Sequence, residues 1–220
     1  AAGAESEETR MAGIAERLKA ARVAPVVRTG TEAAARRGVA LLREEGFALF
    51  EITLTTPGAL AIIADLAAEP GLCVGVGTVL DRAAGEAAIA AGAAFVVSPA
   101  YVEGLTDLGR EADTPVALGA ATPTEALRAH EAGAAFVKLF PAKQLGGPGF
   151  VKALRSVFPA IEIMPTGGID PGDIDAYFAA GAVCLGMGGN LVSDAALQAG
   201  DDAVIRAAAR AVRDVLGETA

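Results

Sequence analysis

The run EAGAAFVKLF (131–140) decides the fold, because its pattern returns along the chain. EEGFALFEIT (44–53), AAGAAFVVSP (90–99) and AAGAVCLGMG (179–188) repeat a small or acidic residue, a glycine and then an apolar run. The glycines Gly46, Gly92, Gly133 and Gly181 lie 46, 41 and 48 residues apart. Each is placed to end a helix in the left-handed conformation, which glycine adopts at little cost, before the chain turns into a strand. Four more apolar runs fall around them: APVVR (24–28), LCVGVGT (72–78), PVALGAA (115–121) and IEIMPTGG (161–168).

Eight short strands alternating with helical stretches predict a parallel sheet covered by helices. Thr31 heads the helical stretch TEAAARRGVALLREE, and Asp170-Pro171 precedes DIDAYFAAG, both good helix starts. Eight such units in roughly 200 residues is the count of a small closed barrel, so the expected class is α/β, a single (β/α)8 TIM barrel. The competing arrangement is an open doubly wound sheet, which needs a switch point and usually a glycine-rich first turn. The first turn here, RTGTEA (28–33), is not one. Residues 1–12 (AAGAESEETRMA) read as a flexible polar lead-in, and 13–220 as one barrel domain.

Composition narrows the function. Of 220 residues, 53% are hydrophobic and 20% charged, which describes a packed globular core rather than a disordered chain. A net charge of −9 argues against a nucleic-acid partner, since phosphate backbones select basic surfaces. No apolar run approaches the ~18 residues of a membrane span and no signal-peptide pattern opens the chain, so the expected location is the cytoplasm. Cys73 and Cys184 sit inside apolar runs without metal spacing or disulfide density and read as buried thiols. The single histidine, His130, falls near the solvent-facing end of a helical stretch, so neither a His-based triad nor a zinc site is expected. No metal and no cofactor are expected.

Lys138 is the residue that breaks the pattern. It interrupts FVKLFP (136–141), where burial of an ammonium is costly and favours loss of its proton. A neutral amine is a nucleophile suited to Schiff-base formation with a carbonyl. The alternative is a lysine that snorkels to the strand end or pairs with a carboxylate. Glu51, in LFEITL (49–54), is the second: alternation puts Leu49, Glu51 and Thr53 on one face. There it serves either proton transfer or a structural ion pair, for which Lys138 itself is a candidate partner.

Barrel active sites lie at the C-terminal ends of the strands. The polar residues there are Arg28, Glu51 and Thr53, Thr78, Ser98 before Pro99, Lys138, Thr166 and Asn190. Two glycine clusters, TGG (166–168) and GMGGN (186–190), follow the seventh and eighth strands, where bare backbone N–H groups often bind an anion.

The motifs EITLTTP (51–57), GVGTV (75–79), SPA (98–100), VKLFPA (137–142), PTGGI (165–169) and GMGGNLV (186–192) stand in a familiar order and spacing. By them the chain resembles the 2-keto-3-deoxy-6-phosphogluconate (KDPG)/4-hydroxy-2-oxoglutarate (KHG) aldolase family from about residue 15 onward. The resemblance implies that Lys138 is the Schiff-base lysine and Glu51 the general acid/base. It implies that Thr78 and Thr166 help hold the substrate carboxylate, with Arg28 and Thr53 also at the substrate and Pro99 and Phe140 lining the pocket. Gly167, Gly168, Gly188, Gly189 and Asn190 would contact a distal phosphate. Many phosphogluconate-type members carry Arg at the position of Thr55 and Ser at that of Asn190; Arg28 stands at an arginine position used by others. The implied partners are a small 2-keto acid and pyruvate, and the implied assembly is a homotrimer. Three rival readings are a phosphogalactonate-type aldolase of the same family, a phosphate-binding barrel isomerase or synthase without imine chemistry, and a catalytically inactive barrel serving as a binding module.

Overall fold

The computed structural model describes residues 7–217. Helix α1 (Glu7–Ala21) leads into β1 (Val23–Val27), α2 (Glu32–Glu44), β2 (Leu49–Thr53), α3 (Ala59–Ala67) and β3 (Cys73–Gly77). There follow α4 (Arg82–Ala90), β4 (Val96–Val97), α5 (Leu105–Glu111), β5 (Val116–Ala120), α6 (Pro123–Glu131) and β6 (Phe136–Leu139). The chain ends with α7 (Gly147–Val157), β7 (Ile163–Pro165), a 3-10 turn (Pro171–Asp173), α8 (Ile174–Ala179), β8 (Leu185–Met187), α9 (Asp194–Ala199) and α10 (Asp202–Leu216).

The strands pair in sequence order, each parallel to the next, and β1 pairs with β8. Two isolated bridges, Ile163 to Ala182 and Thr166 to Gly186, join β7 to the β8 segment and complete the ring. This is the barrel and not the doubly wound sheet, whose strand order reverses at a switch point and whose two edge strands stay unpaired on their outer sides.

The local signals act as read. Gly46, Gly92, Gly133 and Gly181 all have φ between 89° and 102° and end the helices before β2, β4, β6 and β8. Thr31 caps α2, its side chain accepting from Ala34 N at 3.1 Å. His130 is exposed in the last turn of α6. Of the lead-in expected over 1–12, residues 1–6 lie outside the described residues, while 7–12 open α1.

Alternation along the strands sorts residues to two sides. Val27, Ile52, Val76, Leu118, Val137 and Leu139 belong to the large cluster between strands and helices. Leu49, Cys73, Phe95, Val97, Ala117, Phe136, Met164 and Cys184 form a second, smaller cluster with Leu18 of α1, and Ile14 and Ala15 pack against it. Being of the opposite strand parity, these residues fill the barrel interior, and α1 closes its lower, N-terminal end. The sequence reading had no role for α1 there.

Candidate active site

The upper half of the interior begins two residues further along the same strands. Lys138 of β6 pairs with Gly119 of β5 and Met164 of β7, on the inward parity set by Phe136. Glu51 of β2 pairs with Gly75 of β3, inward like Leu49. Lys138 is 3% exposed and Glu51 0%. Lys138 Nζ donates to Glu51 Oε1 at 3.5 Å, and among the described residues this is the amine's one hydrogen bond. Its other cationic contact is the ring of Phe140, 5.8 Å from Nζ to the centroid.

Glycines make room for these groups. A Cβ on Gly77 would stand 2.0 Å from Glu51 Oε1, and one on Gly75 would stand 2.3 Å from the Phe95 ring. A Cβ on Gly186 would stand 2.4 Å from Thr166 Oγ1. Inward glycines in a strand mark close approach, and the alternation in CVGVG (73–77) is the signal by which the sequence could have disclosed this. Two atoms in the same region, Glu51 Oε2 and Thr166 Oγ1, are buried with no hydrogen-bond partner among the described residues. Orphaned polar atoms are costly inside a fold, and their usual partners are water or a bound molecule.

A cluster of threonines positions Arg28 at the mouth. Arg28 Nη1 donates to Thr55 Oγ1 at 3.0 Å and Nη2 to Thr78 Oγ1 at 2.9 Å. Thr78 has φ of 60°, an uncommon conformation for a β-branched residue and one that clusters at functional sites. Thr55 Oγ1 lies 3.0 Å from Thr53 Oγ1, which in turn reaches Val27 O and Thr56 Oγ1, both at 3.2 Å. Thr55 is here a rest for Arg28, which follows β1.

A cavity of about 380 Å³ opens over this group. Arg28, Thr78, Pro99, Lys138, Phe140, Thr166, Gly167, Gly168, Gly188, Gly189 and Asn190 all line it, as expected from the strand ends. Val26 and Ile169 complete the wall and were missed, being apolar residues without a chemical signature. Glu51 and Thr53 do not line it: both are fully buried, Glu51 behind Lys138 and Thr53 behind the threonines that hold Arg28. Cys184 also lies in this interior; burial first, and the Glu51 charge second, push its thiol up to about 12. Among the described residues no group of three His, Cys, Asp or Glu is placed to hold a metal ion.

A buried amine beside a buried carboxylate, opening on a cavity with a guanidinium and hydroxyls at one end and glycine N–H groups at the other, can form and protonate an imine. The comparisons agree with that chemistry. The family model for KDPG and KHG aldolase matches residues 14–208. A 2-dehydro-3-deoxy-phosphogluconate aldolase of Pseudomonas aeruginosa is 36% identical, covering 81% of this chain and 82% of its own. A KHG/KDPG aldolase of Escherichia coli is 36% identical over 76% of this chain and 79% of its own. The crystal structure of the KDPG aldolase of Legionella pneumophila, with pyruvate captured as a covalent carbinolamine, superposes with a TM-score of 0.79. It is 28% identical and covers 94% of this chain and 98% of that one. The chain is thus a member of the KDPG and KHG aldolase family.

Proposed function

We propose that this protein is a class I aldolase, a lyase that cleaves a 2-keto-4-hydroxy acid to pyruvate and an aldehyde. The substrate is 2-keto-3-deoxy-6-phosphogluconate, 4-hydroxy-2-oxoglutarate or both, and the aldehyde accordingly glyceraldehyde 3-phosphate or glyoxylate. The observation that carries the reading is Lys138 at 3% exposure with Glu51 Oε1 3.5 Å from its Nζ, under a cavity of substrate size.

Glu51 takes the proton that leaves Lys138 a neutral nucleophile. The amine adds to the C2 ketone, Glu51 returns its proton to the carbinolamine hydroxyl, and loss of water gives an iminium that acts as the electron sink and leaves Glu51 a carboxylate again. Glu51 then removes the proton of the C4 hydroxyl, the C3–C4 bond breaks, and the aldehyde departs. The enamine takes a proton at C3, and water releases pyruvate and the free amine. Arg28, with Thr78, and Thr166 on the other side anchor the carboxylate, which fixes C2 against Nζ. The unpartnered Oγ1 of Thr166, which can donate to the carboxylate, and Oε2 of Glu51, which can accept the C4 hydroxyl proton, support these roles. Pro99 and Phe140 wall the substrate, and Gly167, Gly168, Gly188, Gly189 and Asn190 receive its far end.

A second reading within the family is a phosphogalactonate-type aldolase. It is supported by Arg28, the cation at the mouth, which Thr55 and Thr78 hold in place. Turnover of the two C4 epimers of the phosphorylated substrate separates these readings.

We further propose that residues 13–220 act as one barrel domain in a cytoplasmic homotrimer. Exposed Leu60, Leu80 and Tyr101 support the assembly, and the unpaired Cys73 and Cys184 a reducing compartment. No described helix is long and apolar enough to cross a membrane.

The test is incubation with pyruvate and borohydride followed by peptide mass spectrometry. A reduced pyruvate adduct on Lys138 is the expected result. Its absence from folded protein would move the assignment to an isomerase, a synthase or a binding module.

A further inference from the structure

Behind Gly168, Ile169 and Asn190, which line the far end of the cavity, lies an arrangement of charge that the aldol chemistry leaves unused. Lys143 follows β6 and runs over Gly168, where a Cβ would lie 2.9 Å from Lys143 Cβ. Lys143 Nζ donates to Asp170 Oδ2 at 2.6 Å. The other oxygen of that carboxylate, Oδ1, accepts from Asn190 Nδ2 at 2.7 Å, and the same amide nitrogen donates to Ile169 O at 3.1 Å. Both amide protons of Asn190 are therefore committed within the protein, and the side chain has only its carbonyl oxygen left to offer, an acceptor.

Asp170, first through its hydrogen bond and then through its charge, holds the Lys143 ammonium above its ordinary range, and Asp173 adds to the effect. The layer behind that end of the cavity thus carries one ammonium, already paired, against two carboxylates. A phosphate seated against the glycine loops would meet the acceptor oxygen of Asn190 and, directly behind it, the Asp170 charge and a cation already spent on it. A hydroxyl at the same place has a proton to donate and no charge to be repelled.

Resting on the aldolase reading above, we propose that Asp170 is a specificity-determining residue. By occupying Lys143 and the Asn190 amide, it biases the site toward 2-keto-4-hydroxy acids that carry no phosphate. Lys143 is its counterion and works in the opposite sense, as a positive charge behind that end of the cavity that a phosphate could recruit.

The experiment compares kcat/KM for the six-carbon 2-keto-3-deoxy acid with and without its 6-phosphate, in the full-length protein and two variants. Asp170→Asn, which keeps the shape and removes the charge, is expected to raise the phosphorylated-to-unphosphorylated ratio about tenfold. Lys143→Met is expected to lower it, because Asp170 is then uncompensated. Opposite shifts support the proposal; no shift, or a shift in the same direction, overturns it. Should Asp170→Asn fail to fold, Lys143→Met decides alone: a lowered ratio supports and an unchanged or raised one overturns. Borohydride trapping of pyruvate in the wild type separates the two levels. Failure to trap sinks the aldolase reading, whereas trapping with an unmoved ratio sinks only the role of Asp170.

Discussion

The lower and upper halves of the barrel interior come from the same strands and have opposite chemistry. Below, Leu49, Cys73, Phe136, Met164 and Cys184 pack with Leu18 into an apolar plug. Two residues along each of those strands, on the same face, stand Glu51, Gly75, Lys138, Thr166 and Gly186. The plug excludes water from beneath the Lys138–Glu51 pair, and low dielectric strengthens every charge interaction above it. The glycines return the volume that the plug consumes, so that a carboxylate, an amine and a substrate fit where a sealed barrel would place another layer of apolar side chains. Stability and reactivity are in this way separated by one pleat.

Substitutions in the two halves should therefore fail in different ways. Lys138→Ala removes the imine, and both borohydride trapping and cleavage should disappear; substantial residual turnover would return the site to simple anion binding. Glu51→Gln is expected to cut turnover by roughly 10²–10⁴-fold while slow pyruvate trapping persists, measured by single-turnover mass spectrometry. Normal turnover would remove Glu51 from the chemistry. The double variant Lys138→Met/Glu51→Gln should melt above either single variant, since each single change leaves one buried group without its partner. Melting temperatures that simply add would mean that the two groups do not sense one another.

In the lower half, Leu18→Ala should cost roughly 2–5 kcal/mol in chemical denaturation. Its trapping of pyruvate at 25 °C should match the wild type; a parallel loss of trapping would mean that the plug shapes the site and not only the fold. The smallest effect concerns Cys184. With its thiol pushed up to about 12 by burial and then by Glu51, it stays protonated at pH 8. Native protein should take up no iodoacetamide there, and unfolded protein should label fully. Rapid native labelling would show that water reaches the plug.

The recurring glycine-then-strand phrase, the caps at Thr31 and the four helix-ending glycines were legible because they are local: they depend on φ preferences and on hydrogen bonds within a few residues. Most of the site was legible too, because barrel topology converts a position at a strand end into a position at the mouth. Thr53 was placed correctly on the inward face, yet it lies behind Thr55 rather than on the cavity. The role of α1 as plug, the packing of Gly77 against Glu51 and the Lys143–Asp170–Asn190 cluster were not legible. They join segments from 20 residues apart, as Asp170 and Asn190, to 166 apart, as Leu18 and Cys184, and no local pattern records such contacts.

The sequence by itself determined the eight-unit barrel and singled out Lys138 and Glu51, because alternation, capping and the cost of burying a charge act on each residue where it stands. Only the tertiary structure decided that these two groups meet at 3.5 Å, that Arg28 rests on Thr55 and Thr78, and that Asp170 claims both Lys143 and Asn190. Those outcomes depend on the register between strands and on which side chain arrives first at a shared partner. Both are fixed only when the ring closes.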